Sequence, residues 1–245
     1  MRILALDSSG LVAGVAVVEA TAGQTLTLSE FTIHYKKTHS ETLLPMIDQA
    51  LRIPGIDKAS LDAIAVASGP GSFTGLRIGA ATAKGLASVL AIPILPVPTL
   101  EGLAWNLWGS DGLICPIMDA RRGQVYTGIY EIKEGKLQTI RKQDVLEIQK
   151  LGEQLKQQHK CVTFLGDGVP VFRGILEQWQ KEGLQIRLAP GHLNRQRAAS
   201  VGILGLTCLE EGKAVSAADF RPDYLRLSQA ERERKEKREH DPISK

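Results

Sequence analysis

The shortages in this 245-residue sequence narrow what the chain can be. It has only three cysteines, at 115, 161 and 208, an odd number set far apart. Each lies in or beside an apolar segment. They read as small core residues of a reducing compartment, not as a disulfide framework or a metal cluster. Aromatic residues make up 5% of the chain, too few for a single-strand binder built on stacking platforms. The net charge is only +3, which excludes a polycation that coats nucleic acid. No apolar run approaches the ~20 residues of a bilayer span, and the first strand-like stretch lacks the apolar core of a signal peptide. The expected setting is cytoplasmic, with no membrane association. What is plentiful is ordinary: 43% hydrophobic and 23% charged residues, enough for a sizeable core in one large domain or in two lobes.

The stretch that organises the chain runs Ser68-Gly69-Pro70-Gly71-Ser72-Phe73-Thr74-Gly75-Leu76-Arg77-Ile78-Gly79. An apolar run at 63–67 leads into it as a buried strand, and a small-residue helix at 80–87 leads out. Glycines at 69, 71 and 75 permit tight turning and close approach. The helix start offers unpaired N–H groups and a favourable dipole for an anion, with Ser72 and Thr74 as short hydroxyls nearby. Asp7 and Ser8, in the turn after the first strand, and Arg77 complete a candidate phosphate or carboxylate site with Gly69, Gly71 and Gly75. The other reading is that the glycines only allow close helix–strand packing, and that Asp7 caps its own turn. A Walker-type loop is excluded, because Gly75-Leu76-Arg77 stands where Gly-Lys-Ser/Thr is needed. A nucleophile elbow is excluded too, since Pro70 and Thr74 flank Ser72 where glycines are required.

Residues 2–7, 14–19 and 26–33 read as three consecutive strands, the opening of an actin-like nucleotide-binding lobe. Residues 38–51 read as a helix with Thr38 and Glu41 at capping-box spacing and Leu43, Leu44, Ile47, Ala50 and Leu51 on one face. That face packs on a sheet, or part of it is a partner surface. A proline-bounded strand at 91–98 precedes a helix at 99–107 capped by Thr99. The first lobe is expected to span 1–100, with a returning helix near 195–212, and the second 101–194. Strands at 113–118, 124–130, 161–165 and 185–188, with a helix at 171–179 opened by Pro170, give the second lobe an α/β pattern. Residues 220–226 read as a semi-extended segment anchored by Phe220 and Tyr224. Residues 228–245 form a mixed-charge tail without an apolar face, either a solvated helix or a flexible segment. No internal repeat is visible.

Several of these pieces together resemble the bacterial TsaB (YeaZ) family. They are the 68–79 stretch with Ala83-Lys84-Gly85-Leu86-Ala87, His39-Ser40-Glu41 with Leu43-Leu44-Pro45, Asp119-Ala120-Arg121 before Val125-Tyr126, and Pro222-Asp223-Tyr224-Leu225-Arg226. The likeness runs to about residue 226. Gln124 departs from it, standing where an acid is common. The resemblance implies a two-lobed actin-like, sugar-kinase-like (ASKHA, ribonuclease H-like) α/β fold. It also implies a part in making N6-threonylcarbamoyladenosine at position 37 of tRNAs that read ANN codons. There the related TsaD transfers the threonylcarbamoyl group from its adenylate, the TsaB-like protein pairs with TsaD, and the ATPase TsaE joins them.

On this resemblance the chain is a non-catalytic partner with no cofactor of its own. ATP, threonylcarbamoyl-adenylate and metal belong to the other subunits, and tRNA is met indirectly through the complex. The catalytic relatives carry His-x-x-x-His on a helix, and the matching positions here are Thr99 and Leu103, neither of which replaces an imidazole ligand. The five histidines (34, 39, 159, 192, 240) contain no i, i+4 pair. His39-Ser40-Glu41 holds a base, a hydroxyl and an acid, but adjacent helical residues do not face one another. The resemblance instead makes His39, Ser40, Glu41, Leu43, Leu44, Ile47 and Leu51 the surface for self-association and for pairing with TsaD. The alternative is a nucleotide-dependent ATPase or small-molecule kinase of the same superfold, using Asp7 and the Ser72/Thr74 loop, with Gly166-Asp167-Gly168 as a remnant of a second nucleotide loop.

Overall fold

Apolar strands with both faces buried form the centres of two five-stranded sheets. In a computed structural model that describes residues 1–35 and 38–226, the first sheet comprises β1 (Arg2–Asp7), β2 (Ala13–Thr21), β3 (Gln24–Ile33), β4 (Ala63–Gly69) and β5 (Ile94–Pro98). Its order is β3-β2-β1-β4-β5, with β1 antiparallel to β2 and parallel to β4. The second sheet comprises β6 (Leu113–Asp119), β7 (Gln124–Lys133), β8 (Lys136–Glu147), β9 (Val162–Leu165) and β10 (Ile186–Leu188). Its order is β10-β9-β6-β7-β8, with β6 antiparallel to β7 and parallel to β9. The chain thus builds one topology twice although its sequence shows no repeat. Hydrogen-bonded pairing needs only compatible burial, not similar residues. This is the two-lobed actin-like α/β fold.

The helices are α1 (His39–Arg52), α2 (Phe73–Leu90), α3 (Thr99–Trp105), α4 (Ile148–Lys156), α5 (Gly168–Val171), α6 (Arg173–Lys181) and α7 (Ala198–Glu210). Helices α1 and α2 cover one face of the first sheet, where Leu43, Met46, Ile47 and Ala83 join Leu4, Leu6, Val15 and Val66. Burial of each large side chain there contributes about 1.5–3 kcal/mol. Helix α7 covers the other face. Its small residues let it come close, with Gly202 against Ala5 and Val18 and Gly205 against Ala65. Helices α4 to α6 pack on one side of the second sheet and α3 on the other. All three cysteines are free thiols, and Cys115 and Cys208 are buried.

Several local expectations need correction. Thr38 is the N-cap of α1, but its side chain makes no capping bond, so the capping box with Glu41 does not form. Thr99 does not cap α3 either. Pro98 holds that place, and Thr99 is the first helical residue. Pro170 lies inside the one-turn α5, and the longer helix begins only at Arg173. Strand β8 and helix α4 had no counterpart in the sequence reading, because β8 is a polar edge strand of mostly exposed and half-buried residues. The tail at 228–245 lies outside the described residues.

Candidate functional site: the cleft between the sheets

The turn after β1 is built from its own side chains. Asp7 is buried, and its carboxylate accepts from the Ser9 amide at 2.9 Å and the Ser9 hydroxyl at 2.6 Å. Burial still pushes its carboxyl up to about 6, and the two Ser9 bonds act against that shift. Ser8 is buried as well and donates its hydroxyl to the Gly75 carbonyl at 2.8 Å. The two residues therefore fasten the turn and point inward. The turn-capping role weighed for Asp7 is the one observed.

The Gly-rich segment is filled in the same way. A Cβ on Gly71 would collide with the Ser9 carbonyl, one on Gly75 with the Ser8 carbonyl, and one on Gly69 with the Asp223 carbonyl. Gly69 also has φ +124, which only glycine adopts without strain. The Ser72 amide donates to the Ser9 carbonyl at 2.7 Å, and the Ser72 hydroxyl accepts from the Gly75 amide at 3.2 Å as the N-cap of α2. Thr74 is exposed, and the Arg77 guanidinium lies 4.2 Å over the Phe73 ring. The close-packing role weighed for the glycines is the one observed. The glycines admit the chain's own carbonyl oxygens, and the Gly75 amide in the first turn of α2 is already capped by Ser72.

Between the lobes lies a cleft of about 1120 Å³. Ser9, Gly10, Tyr35, His39, Gly71 and Ser72 line it from the first lobe; Asp119, Arg121, Tyr126 and Asp167 line it from the second. Of the residues named for an anion, only Gly71 and Ser72 reach it. His39 Nε2 donates to the Gly10 carbonyl at 2.9 Å, so its ring packs against the first turn. Asp167 accepts from the Asp119 amide at 3.1 Å; burial raises its carboxyl, opposed by that bond and by Arg195. Gly166 and Gly168 both abut the Ile117 carbonyl, so this pair too is used for packing.

The segment after Phe220 crosses the cleft. Phe220 is buried in the first core, and the Asp223 amide donates to the Ser68 carbonyl at 2.7 Å. Tyr224 packs on Phe73 with ring centroids 5.0 Å apart, and Arg226 donates to the Ala120 carbonyl of the second lobe. From β8, Gln143 donates to the Gly69 carbonyl at 3.2 Å. Tyr35 and Gln143 carried no motif and were not visible as site residues in the sequence.

Thr99 and Leu103 are both fully buried. The Thr99 hydroxyl accepts from the Gly69 amide at 3.1 Å, and Leu103 belongs to the core under the second sheet. On α1, Leu43 and Ile47 lie in the core, at 1% and 5% exposure, which removes them from the interface surface suggested for them. Leu51 is half-buried against the same core. Ser40, Glu41 and Leu44 are exposed, Leu44 by 57%. No helix among the described residues is long and apolar enough to cross a membrane.

Comparison with known proteins bears on the whole chain. The model of the family described as TsaD, tRNA N6-adenosine threonylcarbamoyltransferase, matches residues 27–234. The tRNA threonylcarbamoyladenosine biosynthesis protein TsaB of Bacillus subtilis is 39% identical over 94% of this chain and 96% of its own length. The TsaB protein of Escherichia coli is 30% identical over 92% and 95%. The solved structure of YeaZ from Pseudomonas aeruginosa superposes with a TM-score of 0.75 at 27% identity, covering 91% of this chain and 99% of that one. Shared sequence along nearly the full length, and the same two-lobed architecture, place this chain in the TsaB (YeaZ) family of tRNA threonylcarbamoyladenosine biosynthesis proteins.

Proposed function

We propose that this chain is a non-catalytic subunit in the formation of N6-threonylcarbamoyladenosine in tRNA. It pairs with a TsaD-type transferase, and a TsaE-type ATPase joins the pair. The observation that carries this reading is the state of the first-lobe loop. Its glycines receive the Ser8, Ser9 and Asp223 carbonyls, and Ser72 caps its own helix, so the space the glycines create is filled by the chain itself rather than left for a polyphosphate. Thr99 and Leu103, at the positions where the catalytic relatives hold metal, support the same reading because both are packed into the core. A kinase or ATPase of this superfold would need that loop open.

Pairing is assigned to the outer face of α1, where Ser40, Glu41, Leu44, Pro45 and Asp48 are exposed beside α2. A second copy of the chain is the alternative occupant of this face when the transferase is absent. Light scattering after size exclusion, with the TsaD-type protein of the same organism, tests the assignment. A heterodimer formed by the wild type and lost in Leu44→Glu is expected. No complex at micromolar concentration, together with ATP hydrolysis by the isolated chain, would overturn the reading in favour of a nucleotide enzyme.

A further inference from the structure

Tyrosine is scarce here, with four in the chain, yet three of them, Tyr35, Tyr126 and Tyr224, line the interlobe cleft. Tyr35 is 74% and Tyr224 40% exposed, an unusual display for large rings. Beside them is the tip of the β6–β7 hairpin. Arg121 and Arg122 have φ 67 and 55, followed by Gly123 at 72, so three successive left-handed residues form the tip. Arg121 pairs with Asp119 at 3.2 Å but its side chain stays 85% exposed. Arg122 is exposed and has no partner among the described residues. The strip continues across the cleft mouth through Arg226 and the Tyr224–Phe73 ring pair.

We propose that this cleft and its arginine rim hold an unstacked base of a single-stranded RNA segment, with the flanking phosphates on Arg121 and Arg122. Aromatic faces and rim arginines are the two elements by which proteins take splayed bases of RNA loops, and a single base needs only a few rings, so the scarcity of aromatics that argues against a run of stacking platforms leaves this mode open. The cleft does not suit a free nucleoside polyphosphate. Asp119, Asp167 and Asp223 line it, and the Ser9, Ser72 and Gly75 amides of the first lobe are already bonded. Carboxylates repel phosphate but accept hydrogen bonds from the N–H groups of a base, so base inside and phosphate at the rim is the order the charges favour.

This rests on the proposed function for the identity of the RNA. It gives the chain its own contact with tRNA, beyond one made through its partner. The two fail separately, because pairing is read by light scattering and RNA contact by anisotropy on the full chain alone. The probe is a fluorescein-labelled single-stranded RNA of about twelve nucleotides, long enough to place one base in the cleft with phosphates on both sides of it.

Binding that weakens as salt rises is expected. Arg122→Glu should weaken it about tenfold and flatten its salt dependence, and Tyr35→Ala should weaken it several-fold with the salt dependence kept. Arg187→Glu makes the same charge change on the exposed second-sheet edge, outside the cleft, and should leave binding unchanged. All three replace exposed side chains, and unchanged thermal midpoints establish that they fold. Absence of binding at low salt, equal loss in Arg187→Glu, or displacement of the RNA by ATP would each overturn the proposal.

Discussion

The Ser8 hydroxyl donates to the Gly75 carbonyl at 2.8 Å, joining residues 67 apart and locking the first turn to the start of α2. Helix α2 sits this close only because residue 75 has no side chain, since a Cβ there would strike the Ser8 carbonyl. Ser8→Ala should cost about 1–2 kcal/mol by removing a buried hydrogen bond. Gly75→Ala should cost about 3 kcal/mol through overpacking against backbone. Thermal midpoints should fall by about 2–4 °C for each kcal/mol in a chain of this size. Equal, negligible shifts in both variants would contradict the close packing.

Neighbouring residues of α1 should separate folding from pairing. Ile47 is buried, and Ile47→Glu places an unpaired charge in the first core, so it should unfold the lobe or cost several kcal/mol. Leu44 is exposed, and Leu44→Glu should change stability by no more than about 0.5 kcal/mol while abolishing the heterodimer. Urea melts of the two variants beside light scattering check this. A heterodimer that survives Leu44→Glu would move the pairing surface elsewhere.

Asp7 should make stability depend on pH. Burial raises its carboxyl from 3.8 to about 6, so the folded chain holds the proton more tightly than the unfolded one. Stability from this group is therefore full below about pH 4, declines as pH rises towards about 6, and stays low above that. A shift of about 2 units corresponds to about 3 kcal/mol. Asp7→Asn keeps an acceptor for Ser9 and should raise the melting temperature at pH 7.5 but not at pH 3.5. Calorimetry at the two pH values decides, and a pH-independent difference would contradict the burial argument.

Thr99 has a structural task. Its hydroxyl is the acceptor for the buried Gly69 amide. Thr99→Val keeps the shape, strands that N–H, and should cost about 1–3 kcal/mol. Thr99→Ser restores the acceptor and should recover most of the loss. Denaturant midpoints for the pair test this, and equal behaviour of Val and Ser would show that the bond contributes nothing.

Much of the fold was legible because local pattern and burial coincide. The apolar runs at β1, β4, β6 and β9 read as buried strands, and Thr38 marked a true helix start, whereas the helix read at 80–87 begins seven residues earlier, at Phe73. Strand β8 was not legible, since an edge strand with few buried positions lacks the alternation that identifies one. The doubled topology was invisible for a related reason: the two sheets share connectivity and burial, not residues.

At the candidate site, sequence by itself determined which residue types are present and which are missing. Glycines stand at 69, 71 and 75, a Ser-rich turn follows β1, and positions 99 and 103 have no imidazole. Only the tertiary structure decided what those glycines face. The carbonyl oxygens of Ser8, Ser9 and Asp223 come from turns and segments distant along the chain, and no local pattern encodes such partners. The same holds for α1, whose heptad-like apolar pattern does not say that Leu43 and Ile47 are inside and Leu44 outside until the sheet beneath fixes the rotation of the helix. It holds again for the tyrosines, which are scattered along the sequence and meet only because two lobes and a crossing C-terminal segment enclose one cleft.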